Sequence, residues 1–431
     1  MLVLIASFFH KLYILFETFL LILAFCWASY VAINTKSYYV VVIFSCLAAF
    51  SIVNNIYILL ELPIMGSFLH NNFNSQLIFV VLLFISWSTI LLFCDFCFSN
   101  SRFISYYQQS SAFAIKRVSR PHHFPLSLFI ITSMYLIEFL MVYPSISQQQ
   151  SYFFGGEYLN TTSGLSEYIA PIMAIYLIKL KKRLISFYEK SSLVLLFFIA
   201  SIYFFYGMRS SASVVFLFLI FIAFQFFSTG SKKYSLSITV LRSMIFPAFI
   251  FVLIIVNMVS SSFRLALEFH NTFFPPINQF IEVLNSSVAF LSLPDALFGR
   301  FFNQDLISLL FGLFALSVPQ QLFGFNAALN PLLPFKEVLS TFSAGGGGHV
   351  FIWFIYLFGP FFGCLVMYFF FKLLFSRGIY SELICVSVSL LAVRFCFYDP
   401  ISVLFRTLVI GLLVYFFIYF TLFPARYSNT K

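Results

Sequence analysis

Apolar runs of about 17–25 residues, broken by short polar segments, repeat along most of the chain. A hydrocarbon layer of about 30 Å needs roughly 20 apolar residues per crossing helix. Read on that ruler, spans are predicted near 12–34, 38–60, 76–99, 125–146, 164–180, 190–207, 211–228, 238–260, 350–374, 379–398 and 401–423. The stretch 305–325 reads either as a further span or as a re-entrant segment. The expected fold is all-α, a polytopic integral membrane protein forming a single membrane unit over 1–431, with about eleven or twelve transmembrane helices. No internal repeat is visible, and the first apolar stretch runs straight into a full-length span, so no cleavable signal peptide is expected.

The segment 261–349 breaks the rhythm. It alternates apolar stretches with Pro275, Pro276, Pro294, Pro319, Pro331 and Pro334, and ends in Gly345 to Gly348. Loops of that length in an ordered protein usually carry function. It is expected as one large outer loop that folds back on the membrane surface in short helices and turns.

Composition agrees with a bilayer environment. Hydrophobic residues make up 61% of the 431 and charged residues 9%, against roughly 25% charged in ordinary soluble domains. Too few polar side chains remain to coat a water-soluble globule. The net charge of +10 does not indicate nucleic acid, because the basic residues sit in short loops between apolar runs, where they act as topology signals. Cys94 and Cys97 have metal-site spacing but no second pair and no nearby His, so neither a metal nor a cofactor is expected.

The basic loops also set direction. Lys36, then Arg102, Lys116, Arg117 and Arg120, then Lys179 to Lys190, then Lys232, Lys233 and Arg242, then Lys372 and Arg377, and finally Arg426 and Lys431 lie on every second connection. That side is read as cytoplasmic, with the C-terminus inside and the N-terminus outside. The basic residues left over are Lys11, Arg209, Arg264, Arg300, Lys336, Arg394 and Arg406. Most of these are Arg, the side chain suited to forked binding of an oxyanion.

Arg209, Arg264, Arg394 and Arg406 come from separate spans and are predicted at similar depth near the outer leaflet, where ionisable groups point to function. Blander readings stand beside each. Arg264 and Glu268, four apart, also fit a neutralising pair on one helix face. Asp399 also fits an ion-pair partner of Arg394 or Arg406, Arg209 a side chain reaching headgroup phosphates, and Arg300 an exposed surface charge. His349, after the glycines, fits a polar residue at the start of a helix. His349, Glu268 and Asp399 are the candidates for a general base.

On these residues the chain resembles the bacterial O-antigen polymerases of the Wzy type. Gly207-Met208-Arg209-Ser210 before an apolar span is similar to their G-x-R turn. Ser317-Val318-Pro319-Gln320-Gln321-Leu322-Phe323-Gly324 resembles the proline-containing segment of their second large outer loop. Phe358-Gly359-Pro360-Phe361-Phe362-Gly363 and the stretch Arg394 to Arg406 resemble later spans of that family, so that the likeness covers about residues 150–423. The layout is similar to that of enterobacterial common antigen polymerases. The family's R-x10-G motif is missed, since Arg300 reaches Gly312 one residue late.

The resemblance implies a glycosyltransferase of the bacterial inner membrane, active on the periplasmic side in lipopolysaccharide biosynthesis. Its donor would be an oligosaccharide repeat unit on undecaprenyl diphosphate, and a chain-length regulator of the Wzz type a possible partner. Arg209, Arg264, Arg394 and Arg406 would hold the diphosphate without a metal. Two rivals share parts of this reading: a lipid-linked oligosaccharide flippase and an O-antigen ligase.

Overall fold

The computed structural model describes residues 2–35, 37–60, 75–110, 126–148, 165–180, 185–206, 209–229, 244–256, 278–293, 297–317, 347–376, 379–410 and 413. Among them the chain is helical, without a strand. Eight helices come first: α1 (Leu2–Asn34), α2 (Val40–Leu59), α3 (Ser75–Ser110), α4 (Leu126–Gln148), α5 (Leu165–Leu180), α6 (Phe187–Phe205), α7 (Arg209–Thr229) and α8 (Met244–Val256). Then follow α9 (Asn278–Ser292), α10 (Leu306–Ser317), α11 (Val350–Phe358), α12 (Pro360–Leu374), α13 (Ile379–Leu390), α14 (Ala392–Phe397) and α15 (Pro400–Phe405), and a π-helical turn at Arg406–Ile410. Four helices among the described residues are long and apolar enough to cross a membrane: Phe9–Asn34, Val40–Leu59, Leu77–Asn100 and Phe187–Phe205.

Apolar side chains face outward as well as inward. On α1, Leu12, Leu15, Phe16, Phe19 and Leu23 are exposed, while Ile14, Glu17, Leu21 and Ala28 face the interior. A continuous apolar exterior of this kind belongs in lipid rather than water. At the centre, α2 packs on α1, α3, α9, α13 and α14 and is buried on almost every face.

The connections rich in Lys and Arg meet at one end. Tyr38, just before α2, lies 5.0 Å from the ring of Phe224 near the end of α7 and 6.4 Å from Phe246 near the start of α8. Gln225 Nε2 donates to Tyr39 Oη (2.6 Å) and to the Leu177 carbonyl near the end of α5 (3.1 Å). Phe375, at the end of α12, lies 5.4 Å from Phe44 and 5.6 Å from Phe96. The alternation of basic loops therefore matches a real side of the bundle, here called the basic end.

The sequence pattern fails at one place. The run 350–374 is not one span but a hairpin, α11 folding back antiparallel on α12. Phe351 meets Phe371 at 5.7 Å and Phe354 meets Phe370 at 5.4 Å. The reversal is at Gly359, with φ at +76°, a conformation few side chains tolerate. Gly363 lets the hairpin close, since a Cβ there would stand 2.6 Å from the Phe354 carbonyl oxygen. In 305–325, read as a further span or a re-entrant segment, the described helix α10 has 12 residues, about 18 Å.

Within the long loop, α9 is not a surface helix. It is buried among α2, α3 and α11, and its Phe280 lies 6.4 Å from Phe50, halfway along α2. Its apolar residues Phe280, Ile281, Val283, Leu284, Val288 and Phe290 are buried together with Asn285, Ser286 and Ser287, while Glu282 and Ser292 stay exposed. The next turn ties into the hairpin: Arg300 N–H and Phe301 N–H donate to the carbonyls of Tyr356 (2.9 Å) and Leu357 (2.8 Å). The end of α11 thus has its orphan carbonyls satisfied by backbone, which non-helical chain requires wherever water is excluded.

Candidate functional site

Three backbone interruptions converge beside Phe50. The first is Gly347-Gly348-His349, which begins α11. The second is the break at Tyr398-Asp399 between α14 and α15. The third is the start of α9. Phe50, Phe280, Phe397 and His349 form one ring cluster, with His349 4.6 Å from Phe50 and 6.3 Å from Phe397, and Phe280 5.7 Å from Phe397. Gly347 and Gly348 have no room for a side chain: a Cβ would meet the Phe397 carbonyl at 2.8 Å and the Phe290 ring at 2.6 Å. Trp353 Nε1 donates to the Tyr398 carbonyl (3.1 Å), pinning the two breaks together.

His349 is fully buried and caps α11. Its Nδ1 accepts from Phe351 N–H (3.3 Å) and its own N–H donates to Ser287 Oγ of α9 (2.8 Å). Accepting at Nδ1 selects the tautomer with the proton on Nε2. That nitrogen has no partner among the described residues. A general base must reach the proton it removes; sealed behind Phe50 and Phe397, this ring is shaped as a helix cap.

Asp399 caps α15 in the same manner. One carboxylate oxygen accepts from Ser402 N–H (3.1 Å) and the other from Ser402 Oγ, while Pro400 opens the helix at the position proline favours. Its N–H and that of Tyr398 both donate to the Arg394 carbonyl (3.1 Å each), which ends α14. Arg394 is thus one turn before the break, and Arg406 directly follows α15.

Arg406 is buried, 7% exposed. Its guanidinium carbon lies 5.6 Å from the centre of the Tyr168 ring, near the start of α5. Cation–aromatic contacts of this sort strengthen when desolvated. The helix is π-wound from Arg406 to Ile410, a deviation that recurs at functional sites.

Arg209 is the first residue of α7. The bond from Gln225 to Leu177 shows that α5 and α7 run parallel. Arg209 therefore begins its helix at the same end of the bundle as Tyr168 and Arg406, away from the basic end. Arg264 and Glu268 lie outside the described residues. Arg300 enters through its backbone N–H as a cap of α11.

Two features went unnoticed in the sequence. One is Tyr168, for which the chain carries no signal beyond a tyrosine near a span end. The other is a cavity of about 500 Å³ between α6, α7 and α8, lined by Phe197, Phe204, Phe216, Ile220, Phe249 and Leu253, with Ser213 of α7 also on its wall. Among the described residues no cluster of His, Cys, Asp and Glu could hold a metal ion. No family model, curated protein or solved structure matches the chain.

Proposed function

We propose that this protein is an O-antigen polymerase. It would join oligosaccharide repeat units carried on undecaprenyl diphosphate at the periplasmic face of a bacterial inner membrane, with about eleven crossings. The observation that supports this reading is Arg406. It is buried, stacked on Tyr168, and follows directly on a helix that starts at a break, with Arg394 one turn before that break. A lipid diphosphate leaving a sugar develops negative charge, and fixed guanidinium groups in a water-poor site stabilise it. Arg209 heads α7, along which runs an apolar cavity suited to a hydrocarbon chain. In this reading Arg209, Arg264, Arg394 and Arg406 bind the diphosphate. Asp399 and Glu268 are the remaining candidates to receive the acceptor's proton, and a chain-length regulator is a candidate partner.

The test is replacement of Arg406 or Arg209 by Ala in a strain dependent on this protein. The expected lipopolysaccharide carries at most one repeat unit, at normal protein level. Long polymer in either strain would remove that arginine from the site. Polymer kept on its lipid carrier would indicate a ligase instead.

One observation favours a second reading, the lipid-linked oligosaccharide flippase. Interrupted helices meeting halfway along α2 are the arrangement by which transporters expose helix ends to a substrate. Accumulation of the lipid-linked unit on the cytoplasmic side, in a strain lacking the protein, would select it over the enzyme.

A further inference from the structure

Glu17 lies in the first long apolar helix, flanked by the exposed Phe16 and Leu15, yet is itself 0% exposed. The one polar group that faces its carboxyl is the Ser86 hydroxyl of α3, and among the described residues no second donor reaches either oxygen. The neighbouring pair, Asn55 Nδ2 donating to Thr18 Oγ1 (3.1 Å), closes the same seam between α1 and α2. Among the described residues, the elements packed around this part of α1 carry no charge at that level. From α2 come Ser51, Asn54, Asn55 and Tyr57, from α3 come Ser86 and Thr89, with Asp95 more than two turns on, and α8 holds no ionisable residue. Along α1 itself the nearest titratable groups are Tyr13, Lys11 and His10, and the half-buried His10 ring sits 4.4 Å from Phe79.

A carboxylate placed there has a single hydroxyl and, among the described residues, no cation to replace its lost hydration. A bound proton removes the charge. Such groups inside a membrane protein are the usual carriers of protons. The seam also has a direction. Asn55 is about 6 Å from the end of α2 at Leu59 and about 22 Å from Val40 at the basic end. The short way out runs past Tyr13 and His10.

We propose that Glu17 is a proton-binding site inside the bundle, loaded and emptied at the end opposite the basic loops. The assignment does not depend on the polymerase reading. A transport or gating step tied to proton entry would use it, because its ionisation would unseat α1 from α2 and α3.

The experiment uses the full-length protein in right-side-out and inverted membrane vesicles treated with the hydrophobic reagent dicyclohexylcarbodiimide, which attacks protonated carboxyls from the lipid. Labelling is located by peptide mass spectrometry. We expect Glu17 to be modified, and Glu17→Gln, a neutral isostere, to lose that adduct while still inserting. Raising the pH on the side of the α1 N-terminus slows labelling several-fold; raising it on the basic side does not. Absence of labelling would overturn the proposal, as would indifference to pH on both sides, which marks a sealed packing group. Dependence on the basic side refutes the direction, and protection on replacing potassium by sodium would assign the site to a metal ion instead.

Discussion

The Arg406 guanidinium lies over the ring of Tyr168, 5.6 Å from its centre, joining the last described helical turn to the fifth helix. Burying an arginine without such a surface would be expensive, and the aromatic face offsets part of that cost, by about 0.5–2 kcal/mol. Tyr168→Phe should keep most of the contact and of the polymer length, whereas Tyr168→Leu should shorten the polymer. Arg406→Lys tests the fork: if bidentate binding matters, the ladder seen on lipopolysaccharide gels collapses although the charge is retained.

Gly299 and Gly359 meet back to back, both with positive φ, and a Cβ on Gly299 would stand 2.6 Å from Gly359 N. Gly299→Ala and Gly359→Ala should each destabilise the hairpin by about 1–3 kcal/mol. Thermal unfolding of the detergent-solubilised protein measures this. An unchanged midpoint for both would mean the reversal is not built as described.

The two caps near Phe50 separate structure from chemistry. His349→Asn keeps an acceptor for the Phe351 amide and should leave activity near normal, while His349→Ala should lower stability by about 1 kcal/mol. Loss of activity in a stable His349→Asn protein would restore the imidazole to the chemistry. Asp399→Asn likewise preserves the cap on Ser402. If the carboxylate accepts a proton in the reaction, this variant is stable and inactive.

Asp305 offers a pH effect with a definite sign. It is exposed, and the amide and hydroxyl of Ser308 hold its carboxyl below the usual carboxylate range. The cap it places on α10 is fully present above the ordinary Asp range and is lost as the pH falls through the depressed folded value. The protection of the Ser308 amide against exchange, taken relative to its intrinsic rate at each pH, should fall at acid pH, and in Asp305→Ala it should be low throughout.

Apolar helices and loop charge were legible in the chain because both are summed over many residues, and four of the expected spans are helices long and apolar enough to cross a membrane. The Lys36, Lys179 and Lys372 loops do share one end. The fold-back at Gly359 was hidden in an unbroken apolar run, although the Gly359-Pro360 dipeptide is a recognised breaker. His349 was legible as a polar residue at the start of a helix, but counting along a loop says nothing of depth, and the structure seats it halfway along α2. Glu17 was overlooked as one acid in a long apolar stretch. Its burial follows from facing Ser86 rather than lipid, which only the packed helices define.

The clasp of Gln225 on Tyr39 and Leu177 has a mechanical corollary. Three helices are stapled at one rim by polar bonds amid stacked rings, whereas the chain is jointed deeper in, at His349 and at Asp399. The rim of the bundle that carries the basic loops is thus the tied one, and Gln225→Leu, which removes both bonds at once, should loosen that rim while leaving the two joints as they are.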